Sequence, residues 1–399
     1  MGSISKSISD ITMVRIVPVF KEFGGGSNVD VMELSKEEDP FIKRQVLIAP
    51  YDSGICKDFD NKFDFEIIRI KSPRLKRNFP FITYFINNFS FYLSIYKKIK
   101  SLHDVNLILA HEINPIAYSC TIGKLLNIPV VGMMHGTSEA YSVKSGLDET
   151  ILASLFKPTK AIIVDSGTNA PIKFRQIWGD DRTTIVKHGI DLERFFPREK
   201  NVHILHRLNL MDSDLIVLSI SALIPIKNID LAIESFEKTI SGNTSTRIFL
   251  LIAGDGSETE KLKKLVNEKN LSDRVIFLGS VKIEHMPDLI SIADICIGTS
   301  LVDNMNRSIL EPMACGKPII AFGGGNIEEL ITTGYNGFLA KPGDILDFSE
   351  KLKLLLNDSE LRSLVGKRAQ ETIKEKRSCN GRVVQDMSVY LEAINVSKK

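Results

Sequence analysis

Residues 299–330 contain the pattern that most restricts how this chain can fold. A helix-like run from Ser308 to Cys315 ends at Gly316, and the apolar run from Pro318 to Phe322 predicts a buried strand. The glycine turn at 323–325 then leads to a second helix start at Glu328. Helix, turn, strand and turn in this order predict a unit of a parallel α/β sheet. The helix starts beside flexible glycines also favour anion binding, because backbone N–H groups point outward there.

The same alternation of short apolar runs and helical stretches extends along the whole chain. Strands are predicted at 14–20, 46–49, 65–70, 107–110, 130–134, 161–164, 215–221, 248–256, 275–279 and 295–298. Helical stretches separate most of them, which favours parallel strands with right-handed crossovers. At 399 residues the chain is longer than one core usually supports, so two α/β domains are expected.

Residues 303–318 carry a motif that is far more specific than a glycine pattern. Asp303 is followed by seven residues and Glu311, and then by Met-Ala-Cys-Gly-Lys-Pro at 313–318. The stretch resembles the C-terminal signature of the retaining glycosyltransferases of family 4, also called glycosyl transferases group 1. The resemblance implies the GT-B fold, in which two Rossmann-like, doubly wound α/β domains face each other across a cleft. An ordinary α/β loop with a helix cap at Asp303 is the alternative.

The resemblance implies a division of roles between the domains. Residues 1–197 would bind the acceptor, and residues 198–380 would bind the nucleotide-sugar. The polar stretch from Arg198 to Asn209 reads as the linker between them. The last helix, at 381–399, would pack back on the first domain.

In the second half, the resemblance implies that Asp303 binds hydroxyls of the donor sugar and that Glu311 binds the ribose hydroxyls. Members usually carry Gly-Arg-Leu-x-x-x-Lys-Gly after the first strand of this domain, and its Arg and Lys bind the donor diphosphate. Lys227 is present here, but Ala222 stands at the arginine position. Arg307 is a candidate substitute because a guanidinium suits phosphate oxygens, and a surface arginine at a helix start is the alternative. Further substrate-binding positions by resemblance are Asn304, Asn306, Ser308, Gly254 and Gly279.

In the first half, a glycine loop follows the first predicted strand. Gly24, Gly25 and Gly26 are expected at the substrate site, with a plain flexible turn as the alternative. His135 ends the strand at 130–134 just before Gly136 and Thr137, where the family often places a histidine close to the transferred sugar. A hydrogen-bonded polar residue without a site role is the other reading of His135. Gly189, in His-Gly-Ile-Asp at 188–191, is expected to let the backbone approach the cleft.

No metal or cofactor is expected beyond the nucleotide-diphosphate sugar. Asp58-Phe59-Asp60 matches a three-residue cation motif of transferases with another fold, but such patterns arise often by chance, and we interpret it as a solvated loop. The five cysteines show no paired metal spacing. A net charge of +2 does not favour a nucleic-acid partner.

Residues 67–103 form the most biased segment, with no acidic residue. Its basic residues are Arg69, Lys71, Arg74, Lys76, Arg77, Lys97, Lys98 and Lys100, and they flank an uncharged run rich in Phe and Tyr. One interpretation is an amphipathic segment on an anionic membrane, which would favour a lipid-linked or cell-surface glycan acceptor. The other is a helix that packs its aromatic residues into the core of the first domain. The sequence alone leaves both open.

The resemblance therefore implies a hexosyltransferase of class EC 2.4 that uses a UDP- or GDP-linked sugar and retains its anomeric configuration. His135, Lys227, Asp303 and Glu311 are the candidate catalytic residues. A nucleotide-sugar-binding module that has lost catalysis is the alternative supported by Ala222, and an epimerase on a similar fold fits less well. The sequence shows no apolar stretch of signal-peptide length at its start and no run of about twenty apolar residues, so we expect a cytoplasmic protein, with peripheral membrane contact as one reading of the basic segment.

Overall fold

The computed structural model describes residues 8–18, 26–51, 57–71, 82–135, 149–165, 170–241, 247–302 and 307–397. The chain divides into two compact units, here called the first and second unit. The first unit comprises residues 1–165, 169–187 and 380–399, and the second comprises 166–168 and 188–379. The division at 187/188 lies before the predicted boundary at residue 197, because Ile190 and Phe195 are buried in the core of the second unit.

Among its described residues, the first unit contains a sheet of seven parallel strands. The strands are β1 (Thr12–Ile16), β2 (Arg44–Tyr51), β3 (Glu66–Lys71), β4 (Leu107–His111), β5 (Val130–Met134), β6 (Lys160–Asp165) and β7 (Thr183–Lys187). They lie side by side in the order β3-β2-β1-β4-β5-β6-β7. The order therefore reverses between β1 and β4, which pair directly through Arg15 and Leu109.

Helices cover both faces of this sheet. They are α1 (Gly26–Glu38), α2 (Lys57–Asp60), α3 (Ile82–Ser101), α4 (Ile113–Leu126), α5 (Glu149–Leu155), α6 (Ala170–Trp178) and the last helix of the chain, Cys379–Ser397, labelled α14 below. Alternate strand residues point to opposite faces, so Met13, Leu109 and Met133 pack with α1 and α14. Val14 and Ile108 pack on the other face with α3 and α4.

The described part of the second unit contains a sheet of six parallel strands. They are β8 (Leu215–Ile220), β9 (Ile248–Ala253), β10 (Val275–Gly279), β11 (Ile295–Gly298), β12 (Ile319–Phe322) and β13 (Phe338–Ala340). Their order is β10-β9-β8-β11-β12-β13, so the reversal falls between β8 and β11.

The helices described in the second unit lie on the two faces of that sheet. They are α7 (Val202–Arg207), α8 (Ile229–Ile240), α9 (Thr259–Glu268), α10 (Met286–Ile292), α11 (Arg307–Ala314), α12 (Ile345–Asn357) and α13 (Ser359–Lys376). One buried cluster joins strand residues to α7, α10, α11 and α13, and a second joins them to α8, α9 and α12. Both units are thus doubly wound parallel α/β structures, as the sequence predicts.

Two local predictions differ from the structure, and one strand was not predicted. The stretch predicted as a linker contains α7, whose Leu205 is fully buried in the core. The short strand β13 was not predicted from the sequence, since a run of three apolar residues carries too little periodicity. Asp60 lies in the helical turn α2 rather than in a loop, and its carboxylate accepts two hydrogen bonds from Arg69 at 3.0 and 2.6 Å.

The described part of the basic segment favours the core-helix interpretation. Phe91, Ile95 and Ile99 of α3 are buried against β1, β2 and β4, while Lys97 and Lys100 are exposed. Residues 72–81, which include Arg74, Lys76 and Arg77, lie outside the described residues. Among the helices described, none combines the length and the apolar character needed to cross a bilayer.

A buried arginine joins α14 to the end of the first sheet. Arg382 donates from Nε to Oδ2 of Asp386 at 2.8 Å, and from Nη1 to the carbonyl of Lys187 at 3.4 Å. Asp386 is fully buried. Burial, together with the nearby carboxylate of Glu38, raises the pKa of Asp386 to about 7, although Arg382 opposes the shift.

This pKa predicts how Asp386→Asn changes stability with pH. The folded chain binds a proton at Asp386 up to about pH 7, whereas the unfolded carboxyl has its ordinary value of 3.8, so this group's contribution to stability falls as pH rises from about 4 to about 7. The asparagine lacks that dependence while its oxygen can still accept from Arg382. We expect the free energy of unfolding of the variant, relative to wild type, to increase between about pH 5 and about pH 8 in urea titrations.

Asp273→Asn is the control, because that side chain is 77% exposed. If the free energies of unfolding of Asp386→Asn and wild type differed by the same amount at both pH values, the raised pKa of Asp386 would be contradicted.

Candidate functional site

The crevice of the second unit opens where its strand order reverses. The loops that leave β8 and β11 diverge from neighbouring carboxyl ends, which is where ligands bind in open α/β sheets. A recess at this point is lined by Ser219, Ile220, Ser221, Lys227, Ile229, Ile297, Gly298, Thr299, Ser300, Ser308, Ile309 and Ala321. The structure thus brings together two of the predicted site residues, Lys227 and Ser308.

The loop after β8 is held in place by backbone hydrogen bonds to the loop after β9. Leu223 donates to the carbonyl of Asp255 at 3.0 Å, and Glu258 donates to the carbonyl of Leu223 at 2.8 Å. Gly254, at φ +148°, packs so closely that a Cβ atom would lie 1.7 Å from the carbonyl oxygen of Ser221. Gly254 therefore shapes the loop that carries Lys227.

Lys227 closes a single 3₁₀ turn formed by Pro225–Lys227 at the start of α8. The hydroxyl of Thr299 donates to the carbonyl of Lys227 at 3.0 Å, and that of Ser300 donates to the carbonyl of Ile226 at 3.2 Å. Two hydroxyls from the β11 loop thus fix the backbone of the lysine turn. Ala222, at the family's arginine position, is exposed.

Helix α11 borders the recess and carries an ion pair. Arg307 donates from Nε to Oε1 of Glu311 at 2.8 Å, and both side chains are buried. The two residues are four positions apart, so they lie on one face of the helix. Glu311 and Arg307, predicted to bind ribose and phosphate, are therefore in contact with each other.

Glycines let α11 and its exit turn pack closely. A Cβ atom on Gly298 would lie 2.4 Å from Cδ1 of Ile309, so the helix sits directly on the end of β11. Gly316, at φ +72°, ends the helix. A Cβ atom on Gly366 of α13 would lie 2.1 Å from the carbonyl oxygen of Gly316. These contacts account for Gly316 as the helix end predicted from the sequence.

The second predicted helix start, at Glu328, is a 3₁₀ helix at Gly325–Glu329. Gly324 has a φ of +109° and donates from its backbone N–H to Oε1 of Glu328 at 3.3 Å. The carboxylate therefore already binds a backbone donor at this turn.

In the first unit, the pairing of β4 with β5 places two histidines side by side at the carboxyl ends of these strands. Nδ1 of His111 lies 2.9 Å from Nε2 of His135, and the rings stack with centroids 5.2 Å apart. Nε2 of His111 lies 3.1 Å from Nη1 of Arg15. His111 and Arg15 are fully buried and His135 is nearly so. His135 thus belongs to a buried polar cluster.

Glu112, directly after β4, has an unusual backbone. Its φ of +68° and ψ of 159° fall in a region that residues other than glycine rarely adopt, and such outliers collect at functional sites. Burial raises the pKa of its carboxyl, while His135 opposes the shift both by its charge and by a hydrogen bond from its backbone N–H. The strained residue therefore touches the predicted site histidine.

The remaining predicted residues are placed as follows. Gly254 and Gly279 join the ends of β9 and β10 through a 2.8 Å backbone hydrogen bond. Gly189 precedes Ile190, which pairs with Ser378. Gly26 begins α1. Gly24, Gly25, Asp303, Asn304 and Asn306 lie outside the described residues.

Sequence reasoning missed the residues that hold these groups in position. Thr299 and Ser300 offered no signal beyond being polar after a strand. Arg15 did offer one, because it is a charged residue within a strand that is otherwise apolar. Among the described residues, no three His, Cys, Asp or Glu side chains are grouped as ligands for a metal ion.

Comparisons of sequence identify related proteins. The sequence model of the family described as glycosyl transferases group 1 matches residues 204–372. N-acetyl-alpha-D-glucosaminyl L-malate synthase of Bacillus anthracis is 29% identical over 213 residues, which is 53% of this chain and 54% of that protein. The chain thus spans about half the length of this relative. An uncharacterised glycosyltransferase of Methanocaldococcus jannaschii is 26% identical over 368 residues, with 92% of this chain and 94% of that protein covered.

The fold is also found among solved structures. The crystal structure of HepE from Anabaena in complex with UDP-glucose superposes with a TM-score of 0.75 at 18% identity. The match covers 96% of this chain and 99% of that one. The likeness confirms the predicted α/β fold of two parallel-sheet domains, which is the GT-B fold.

The site geometry predicts different effects for two neighbouring glycines. Both have positive φ, but a Cβ on Gly279 meets no atom within 4 Å, whereas one on Gly254 lies 1.7 Å from the Ser221 carbonyl oxygen. Gly279→Ala should lower the free energy of unfolding by about 1–2 kcal/mol, the usual strain of a left-handed backbone. Gly254→Ala should lower it by several kcal/mol more, because the loop that carries Lys227 must move. Urea unfolding measures both, and equal losses would show that this loop moves freely.

Proposed function

Because the chain belongs to the glycosyl transferases group 1, we propose that it transfers a hexose from a nucleotide-diphosphate sugar to an acceptor with retention of anomeric configuration. The observation that carries the proposal is the recess where β8 and β11 diverge. It combines the Lys227 turn, the hydroxyls of Thr299 and Ser300, and the start of α11.

The recess suits a diphosphate. A helix N-terminus presents backbone N–H groups and the positive end of the helix dipole, and both attract phosphate oxygens. Ser308 lies in the first turn of α11, beside the lysine. Lys227 adds a positive charge at the same edge of the sheet. We therefore infer that the donor's diphosphate binds here.

Uridine diphosphate is the favoured nucleotide. HepE has the same GT-B fold, and its crystal structure contains bound UDP-glucose. This likeness supports a UDP-sugar over a GDP-sugar as the donor. The hydroxyl-binding role proposed for Glu311 would orient the ribose. The family resemblance assigns the sugar to Asp303 and His135, and we keep these roles as part of the proposal.

The chemistry needs charge stabilisation more than proton transfer. As the glycosidic bond breaks, the electron pair goes to the diphosphate, whose negative charge grows. Positive groups fixed before the reaction stabilise that charge and are commonly the largest catalytic term. Lys227 and the N-terminus of α11 would supply this, with Arg307 as a further cation. The acceptor oxygen would attack the face that the diphosphate leaves and pass its proton to the departing diphosphate oxygen, so retention needs no carboxylate pair and no metal in this proposal.

Glu311 is a poor first target for a test. Removing one partner of a buried ion pair leaves the other charge uncompensated, which destabilises a protein by about 3–5 kcal/mol. Glu311→Ala would therefore leave the charge of Arg307 buried, and a loss of activity would have two explanations. Lys227 is partly exposed and gives a cleaner test.

We predict that Lys227→Met lowers turnover on the order of 10²–10³-fold, the scale of losing one preorganised donor group. Release of UDP from UDP-glucose and related UDP-sugars measures turnover, and calorimetry with UDP measures binding. Lys238→Met is the matched control, because Lys238 is exposed near the C-terminal end of α8, the helix that follows the lysine turn. A wild-type protein that binds neither UDP nor GDP would refute the proposed donor, and normal turnover in Lys227→Met would remove the lysine from the site.

A second function is a nucleotide-sugar-binding module without catalysis. Its support is Ala222, which leaves the arginine position of the family without a cation. In that case UDP binds with micromolar affinity while no acceptor in a glycan and lipid panel receives sugar. The same calorimetry and release assays therefore separate the two functions.

For the acceptor we propose a lipid-linked or cell-surface glycan reached from the cytoplasmic side. The support is the acid-free segment at 67–103, in the domain that this family uses for acceptors. Of the basic residues in the described part of α3, only Lys97 and Lys100 are well exposed, and the apolar face of the helix lies in the core. Each basic residue near an anionic surface contributes about 1 kcal/mol, so binding should be reversible.

We predict that the protein sediments with anionic phosphatidylserine vesicles at low salt, and less with neutral phosphatidylcholine vesicles. Lys97→Glu with Lys100→Glu should reduce sedimentation without changing UDP binding. Lys353→Glu with Lys367→Glu, two exposed lysines of the second unit, is the control. Equal sedimentation with both kinds of vesicle, or with neither, would refute membrane contact by this segment.

A further inference from the structure

The histidine pair of the first unit is part of a longer buried chain of polar side chains. Arg15 donates from Nε to Oε1 of Gln45 at 2.9 Å, and its Nη2 is bonded to Oε2 of Glu38. The hydroxyl of Tyr390 donates to Oε1 of Glu38 at 3.0 Å. Strand alternation explains the placement, since Arg15, His111 and His135 all extend from the face covered by α1 and α14.

The orientation of Gln45 is fixed independently. Its Nε2 donates to the carbonyl of Ser35 at 3.0 Å and to Oδ1 of Asp39 at 3.3 Å. The amide oxygen must therefore be the atom that faces Arg15. Arg15 is thus held by two acceptors, with its Nη1 at His111.

The donor character of Arg15 determines where the protons of both histidines lie. A guanidinium has five N–H donors and no acceptor, so Nε2 of His111 must accept and carry no proton. A neutral His111 then carries its proton on Nδ1 and donates it to Nε2 of His135. A neutral His135 is left with its proton on Nδ1.

We propose that Arg15 and His111 are positioning residues that fix His135 as the Nδ1–H tautomer. His135 thereby offers a hydrogen-bond donor, suited to a hydroxyl or carbonyl oxygen of a bound substrate. A second proton on His135 would place an N–H at Nε2 against the N–H of His111. Turning His111 to relieve this would place another N–H against Arg15. The chain of donors therefore favours one arrangement of protons on the two rings.

The link between this tautomer and sugar transfer rests on the proposed function, whereas the tautomer assignment does not. The tautomer itself is a property of the first unit and is measurable without any substrate. The two parts can therefore fail separately.

The test is ¹H–¹⁵N correlation spectroscopy of the full chain with ¹⁵N-labelled histidine, assigned with His111→Asn and His135→Asn. In the wild type we expect the proton on Nδ1 of both residues. Arg15→Lys keeps a donor-only side chain and should retain this tautomer. Arg15→Met with Glu38→Gln removes the donor and its counter-charge together, which avoids a lone buried charge. In this double variant we expect His135 to show a mixture of tautomers.

Tyr390→Phe is the matched control. It removes one hydrogen bond from the same buried chain but leaves Arg15 facing His111, so the tautomer should stay as in wild type. If the double variant folds, as judged by circular dichroism, its turnover should fall on the order of 10-fold to 100-fold with little change in UDP binding, the scale of a misplaced reacting group.

Wild-type protein with the His135 proton on Nε2, or a folded double variant with an unchanged single tautomer, would overturn the assignment of Arg15. If the tautomers behave as expected but no UDP-sugar is consumed by the wild type, the positioning chain stands and the proposed function fails.

Discussion

The reversal of strand order between β8 and β11 is the constraint on which the site of the second unit depends. Two parallel strands that pair directly but send their chains to opposite sides must leave a crevice at their carboxyl ends. The loop after β8 supplies Lys227, and the loop after β11 supplies the two hydroxyls that hold the lysine turn. Gly254 and Gly298 allow the approach of backbone and helix that this geometry requires. The chemistry of the recess thus follows from the topology of the sheet and needs little from the side chains beneath it.

The first unit has a reversal of the same kind between β1 and β4, but there buried charged side chains lie beneath the ends of the strands. An arginine taken out of water is costly unless its charge and its donors have partners. Around Arg15, Glu38 pairs with the charge, while Gln45 and His111 face Nε and Nη1. Such networks contribute little net stability compared with apolar packing, but they specify one arrangement of the groups they connect. That specificity accounts for a costly polar chain in a place where a leucine would fold equally well. The last helix of the chain also helps to hold the histidine pair, because Tyr390 bonds Glu38, and Glu38 in turn bonds Arg15.

Most of the fold could be predicted from the sequence because each strand is a short run of apolar residues, such as Val130–Met134, and both faces of both sheets are covered. The helix α7 was missed because only Leu205 and its neighbours mark it as buried, within a stretch that is otherwise polar. The recess could be expected at Lys227 from the family pattern, but the contact of Arg307 with Glu311 could not. Nor could the bonds that Glu38 makes with Arg15 and Tyr390, because these partners lie 23 and 352 positions from Glu38, leave no local pattern and are brought together only by packing.

The missing arginine at position 222 is best understood through the charge of each remaining group. Arg307 and Glu311 form a pair whose net charge is zero, so at a distance they act as a dipole and attract a diphosphate weakly. Arg307 becomes an effective cation only if the ribose hydroxyls draw the carboxylate away from it or if its guanidinium lies much nearer the phosphates than Glu311 does. Lys227, in contrast, is the charged residue among those described in the lining of the recess. The electrostatic stabilisation of the leaving group therefore depends on Lys227 and on the backbone N–H groups of α11. Glu311 acts in two opposing ways, because it holds Arg307 in the core and also competes with the donor for it.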